Sequence, residues 1–259
     1  MSKINIIKVG GAVVENPDTL QTLLDGFKRL EGMKILVHGG GRSATKMAER
    51  LGVQTTMIEG RRVTDDQMID IVTMVYGGLV NKHIVAELQS RGINALGLTG
   101  ADLNVVRAHR RPITAQGVDF GWVGDVDAAD GQTLLTLLGQ GITPVIAPLT
   151  HDGKGHMLNT NADTMAATVA TAVAAAAGQG SGVTLTYCFE LPGVMRDAAD
   201  ATSLIARIDE PTFHQLVSDG TVQGGMIPKL ENALQCIRRG VSRVVITRYD
   251  NLDGGTEIV

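Results

Sequence analysis

The chain has 259 residues, of which 44% are hydrophobic and only 3% aromatic, with a formal charge of −4. That is enough to bury a core of Val, Ile, Leu, Ala and Met in one large α/β domain or two modest lobes. The basic residues are dispersed along an acidic chain, which speaks against a nucleic-acid face, and Cys188 and Cys236 stand far apart in apolar company, as buried thiols do.

The first run, "INIIKVGGAV" (residues 4–13), predicts a buried strand that ends near Lys8 and turns through Gly10 and Gly11. Two readings fit it. One is a solvated strand end with an ordinary turn. The other is a cation and exposed amides at the carboxyl end of a strand, where open parallel sheets bind ligands. Residues 17–32 space Leu20, Leu23, Leu24, Phe27 and Leu30 at helical intervals. "MKILVHGGGR" (33–42) repeats the strand-then-glycine pattern. Gly39, Gly40 and Gly41 open a helix there, either as an anion cradle or as a turn too crowded for Cβ atoms.

"EGRRVTDD" (59–66) holds Arg62, whose planar fork matches a carboxylate with two parallel hydrogen bonds; a surface arginine is the ordinary alternative. Thr64 is the expected N-cap of a long helix through residue 92, interrupted by Gly77 and Gly78. A strand at 94–100 follows. Residues 103–128 read as a hairpin or small meander inserted in the parallel pattern. Residues 131–141 are helical and lead into the strand "TPVIAPL" (143–149).

"MLNTNADTMAAT" (157–168) puts Asn159 and Asn161 on one side of an extended segment. Asn161 is placed to cap the following alanine-rich helix, with Asp163 in its first turn. The small-residue stretch 174–182 is the best lobe boundary, giving segments 1–178 and 179–259. Residues 182–188 and 242–248 are further strands. Between them "GGMIPKLENA" (224–233) opens a helix with Lys229, a cation that opposes the helix dipole by roughly 0.3–1 kcal/mol unless an anion lies between them. That helix closes at Gly240. No Walker sequence and no Rossmann glycine fingerprint is present, and no apolar tract is long enough for a membrane span. Alternating strands and helices with continuous apolar strands predict a mainly parallel sheet covered on both faces.

Taken together, "IIKVGGA", "VHGGGR", "GRRVTD", "MVYGGLVNK", "LGLTGAD", "GWVGDVD", "PVIAPL", "LNTNADT" and "GGMIPKLENA" resemble the amino-acid kinase family, in its order, from Ile4 nearly to the C-terminus. The resemblance implies a three-layer αβα sandwich with an open sheet. An N-terminal lobe would hold an acyl-amino acid and dimerise; a C-terminal lobe would hold ATP, with Mg2+ carried by its phosphates and no protein metal site. It implies transfer of the γ-phosphoryl group to the side-chain carboxylate of N-acetyl-L-glutamate, within arginine biosynthesis, with N-succinyl-L-glutamate as the alternative acceptor and an inactive ATP-binding relative as the non-enzymatic alternative. Lys8 and Lys229 would neutralise the moving phosphoryl group, Asp163 would hold both lysines, and Gly10 and Gly11 would offer amides to phosphate. Gly40, Gly41, Arg62, Asn159 and Asn161 would bind the acceptor. Arg107 and Arg110 are cations available for a succinyl carboxylate. A cytoplasmic homodimer is expected, without arginine control because Met1 to Lys3 cannot form a linking helix. The chain departs from the family at "YCFELPGV", with Phe189 and Glu190 in place of a T/S-D pair, and at residues 247–255. Both stretches bear on the nucleotide contacts.

Overall fold

The computed structural model describes residues 3–178, 180–197, 200 and 202–259. Met1 and Ser2, and Gln179 at the expected lobe boundary, lie outside the described residues. Eight strands form the main sheet. From edge to edge they are Arg207–Ile208, Thr256–Ile258, Arg243–Arg248, Val183–Phe189, Ile4–Val9, Met33–His38, Thr143–Ile146 and Ala95–Leu98. Neighbours run parallel except Arg243–Arg248 against Thr256–Ile258.

Burial on both faces explains the unbroken apolar runs. Ile4, Ile6, Ile35, Val37, Val183 and Leu185 enter one core, under helices Gly131–Gly139, Ala162–Ala177, Glu210–Ser218 and Met226–Arg238. Ile7, Val9 and Leu36 enter the other, under Pro17–Arg29, Gly41–Arg50 and the helical rod from Asp66 to Ser90. The result is a three-layer αβα sandwich. A single sheet, centred on Ile4–Val9 and Val183–Phe189, carries strands from both halves of the chain.

The rod from Asp66 to Ser90 corrects two expectations. It is not interrupted at Gly77 and Gly78. They lie in a π-helical stretch, Thr73–Val80, that joins Asp66–Val72 to Asn81–Ser90. A Cβ at Gly77 would stand 3.4 Å from Leu149 Cδ1 and 3.5 Å from Thr99 Cγ2, so this turn of the rod packs against those side chains. The N-cap is Asp65, not Thr64. The Asp65 carboxylate accepts the Met68 N–H at 2.8 Å, whereas Thr64 is fully buried and its hydroxyl donates to the Arg62 carbonyl.

The inserted meander is larger than the sequence suggests. Val106–Arg110 pairs antiparallel with Gly124–Ala129, and the chain beyond Ile146 adds Leu149–His151 and Met157–Asn159 to make a four-stranded sheet. Both additions have only three residues, too few to show a period.

Candidate active site

Strand alternation aims Lys8. It shares a side with Ile4 and Ile6, so it faces the layer containing helices Ala162–Ala177 and Met226–Arg238. In register it pairs with Tyr187 on the adjacent strand, and Phe189 is the next residue on that same side. Asn161 starts the first helix: its side-chain oxygen accepts the N–H groups of Asp163 (2.8 Å) and Thr164 (3.1 Å). This cap fixes Asp163 in the first turn, with Oδ1 2.7 Å from Lys8 Nζ. The contact is an ion pair off the hydrogen-bond direction, because Oδ1 is buried without an aligned donor among the described residues.

Lys229 arrives from the first turn of the second helix. Its Nζ stands 4.0 Å from the Phe189 ring centroid, and Lys8 Nζ stands 4.8 Å from it. Burial lowers the Lys229 pKa; Asp163 opposes that shift and the Lys8 charge adds to it. Lys8, Lys229, Asp163, Gly10, Gly11, Gly41, Arg42, Phe189 and Glu190 line one cleft of about 360 Å3.

Gly11 and Gly41 each open a helix, so their N–H groups have no intrahelical acceptor. A Cβ at Gly11 would stand 3.6 Å from the Gly40 nitrogen and 3.7 Å from that of Gly41, so the two glycine turns lie against each other. Gly10 is different. Its N–H donates to the Cys188 carbonyl at 3.1 Å, continuing the ladder one residue past Val9, and is not available to an anion.

A second cleft, of about 200 Å3, is lined by Gly40, Gly41, Arg61, Arg62, Tyr76, Arg111, Asn159 and Asn161, among others. Arg62 is buried. It donates from Nη2 to the Gly41 carbonyl and Thr45 Oγ1, both at 2.8 Å, and from Nη1 to Thr55 Oγ1 at 3.2 Å. No carboxylate among the described residues pairs with it, which leaves a buried cation without a counter-charge. Asn159 Nδ2 donates to Thr64 Oγ1 at 3.0 Å. Tyr76, from the π-helical stretch, packs so closely that a Cβ at Gly40 would fall 2.8 Å from its ring. The two clefts share Gly41.

Arg107 and Arg110 do not line this cleft. Arg110 pairs with Asp119 at 3.0 Å and lies over the Trp122 ring, while the Arg107 stem lies against Gly153. Arg61 and Arg111, each one residue along from an arginine singled out in sequence, take that place. Residues 247–255 line neither cleft; the Thr247 hydroxyl donates to the Asn251 carbonyl, and Leu252 packs on Gly26.

A family model for the amino acid kinase family matches residues 3–248. The chain belongs to the amino acid kinase family. Among its relatives are proteins named acetylglutamate kinase. That of Bacteroides fragilis is 55% identical over 258 residues, covering 99% of this chain and 97% of its own. That of Bacteroides thetaiotaomicron is 56% identical, covering 95% and 93%, and that of Methanopyrus kandleri 40% identical, covering 96% of each. Among solved structures, smu.665 of Streptococcus mutans superposes with a TM-score of 0.80 at 27% identity, covering 100% of this chain and 99% of that one. Carbamate kinase from Giardia lamblia bound to AMP-PNP shares the fold, with a TM-score of 0.67 at 12% identity and coverage of 100% and 98%. An amino acid kinase transfers a phosphoryl group from ATP, and the cleft of Lys8, Lys229 and glycine amides has the donor set that phosphates require. For a magnesium ion the same cleft offers carboxylates only from Asp163, already paired with Lys8, and Glu190. That set fits an ion held mainly by phosphate oxygens and water.

Proposed function

We propose that this chain is an acetylglutamate kinase that transfers the γ-phosphoryl group of ATP to the side-chain carboxylate of N-acetyl-L-glutamate, a step of arginine biosynthesis. The observation that carries the reading is the junction of the two clefts at Gly41: a buried, carboxylate-free arginine stands in one and a pair of lysines in the other. The names of the relatives support the same acceptor.

The acceptor's α-carboxylate fits Arg62, with Asn159 beside it and Asn161 at the rim, which directs the γ-carboxylate toward Gly41 and the phosphate cleft. That carboxylate is ionised near neutral pH and needs no general base. Its oxygen attacks the γ-phosphorus, the bond from phosphorus to the β–γ bridging oxygen breaks, and acyl phosphate and ADP leave. Repulsion between two anions is the obstacle, so catalysis lies in positioning and charge neutralisation. Lys8 and Lys229 supply the neutralising charge, the Gly11 and Gly41 amides donate to phosphoryl oxygens, and Asp163 holds Lys8 in place. Mg2+ enters with ATP. The acceptor side is assigned to residues 1–178 and the nucleotide side to residues 179–259, in a homodimer working in the cytoplasm, where ATP is supplied.

Arg61 favours N-succinyl-L-glutamate as a second reading, since a succinyl group adds a carboxylate that needs a cation, whereas the neighbouring Arg111 is already paired with Asp125. The deciding experiment is coupled ADP release with acetylglutamate, succinylglutamate, glutamate and aspartate. Turnover with acetylglutamate well above the others supports the first reading, and a preference for succinylglutamate selects the second. Absence of turnover with all four overturns both.

A further inference from the structure

Phe189 is a large aromatic in a phosphate cleft. It ends the strand Val183–Phe189 on the side shared with Tyr187, on whose ring it stacks with centroids 6.3 Å apart. Two ammonium groups lie against its ring, Lys229 at 4.0 Å and Lys8 at 4.8 Å. The lysines are not held alike. Lys8 has Asp163 at 2.7 Å. Lys229 has no carboxylate within ion-pair distance among the described residues, although Asp163 and Glu190 line the same cleft.

A flexible lysine facing two carboxylates would collapse onto one of them and lose its capacity to meet an arriving anion. The negative face of an aromatic ring attracts an ammonium without neutralising it and without offering a hydrogen-bond acceptor. It therefore holds the charge in place while leaving the N–H donors that point away from the ring for phosphate oxygens.

We infer that Phe189 is a positioning residue whose ring face holds Lys229, with Lys8 beside it, in the phosphate cleft before ATP binds. The inference rests on the assignment of the two lysines to phosphoryl transfer.

The test replaces Phe189 by 4-fluoro-, 3,5-difluoro- and 3,4,5-trifluorophenylalanine. These keep the shape of the ring while draining its negative face in steps. Binding of AMP-PNP with Mg2+ is measured by calorimetry, and kcat and both KM values by ADP release. The expected result is a stepwise loss of AMP-PNP affinity and of kcat/KM for ATP, reaching on the order of tenfold at three fluorines, with acceptor KM and Tm unchanged. A flat series overturns the inference. So does a series in which Tm falls and acceptor KM rises together with the loss of ATP affinity, because the ring would then act through packing. Lys8→Ala and Lys229→Ala run alongside. If both keep near wild-type kcat, the reading of the lysines has failed; if both lose kcat and the fluorine series is flat, only the role of Phe189 has failed.

Discussion

In the proposed mechanism Lys8 and Lys229 meet the charge of the transferring phosphoryl group, so each alanine variant is expected to lose kcat by on the order of 100-fold or more, measured by ADP release at saturating substrates. Lys229 adds a second readout. Burial lowers its pKa, so at neutral pH its charge opposes folding; as pH rises toward 10.5 the folded chain releases this proton before the unfolded chain does, and the opposition is relieved. Lys229→Met is therefore expected to raise the Tm of the ligand-free protein at pH 7 while abolishing turnover. A lower Tm would show that the lysine is held more tightly than its burial suggests. Arg62→Lys tests the acceptor side: the charge survives, but the fork that reaches Gly41, Thr45 and Thr55 does not. Acceptor KM is expected to rise on the order of tenfold or more, with ATP KM unchanged.

At the scale of elements, His38 ties three pieces together at the end of strand Met33–His38. Its Nδ1 bonds the Gly39 carbonyl at 2.8 Å and its Nε2 meets Asn81 Nδ2 at 3.1 Å, while Asn81 also donates to the Val145 carbonyl. The ring is fully buried, and burial drives its pKa from 6.5 down to about 4. Between those values the unfolded chain binds a proton that the folded chain refuses, so stability falls as pH falls through that window and is level above it. The loss by pH 4 is about 3 kcal/mol, readable as a lower urea midpoint at pH 4.5 than at pH 7. Removing the ring's titration with His38→Gln should flatten that pH dependence, whatever it does to stability at pH 7. The same element shows where sequence reading works. Lys8 and the glycines after Val9 and His38 are legible because a cation or glycines at the end of an apolar strand break the local pattern, and Asn161 and Asp163 because a cap has a fixed spacing. Tyr76 is not legible, because an aromatic within an apolar run reads as core; Phe189 stands out only as a departure from the family pattern, and only the approach of Lys8 and Lys229 from distant segments gives its ring a role. The engagement of the Gly10 amide is not legible either, because a ladder that runs one residue beyond its strand leaves no trace in composition. The edge strand Arg207–Ile208 and its neighbour Thr256–Ile258 are too short for any period.

The whole molecule leaves one helical surface unfinished. Along the rod from Asp66 to Ser90, Met68, Ile71, Val72, Val75, Tyr76, Val80, Ile84 and Leu88 are buried in the chain's own core, yet Met74 and Leu79 are 55% and 45% exposed. Large apolar side chains left in water on an otherwise well-packed rod suit a symmetric contact, in which the same surface meets its copy across a twofold axis. If this seam holds the proposed homodimer, Met74→Glu together with Leu79→Glu places four carboxylates at the contact and is expected to leave monomers. Light scattering at micromolar protein should report half the wild-type mass. The rod supplies Tyr76 to the cleft of Arg62, the proposed acceptor site, and Asn81 to the His38 bridge. Loss of the partner is therefore expected to raise acceptor KM more than ATP KM. A double variant that remains dimeric would move the interface to another face of the molecule, and a wild-type protein that is monomeric under the same conditions would remove the dimer altogether.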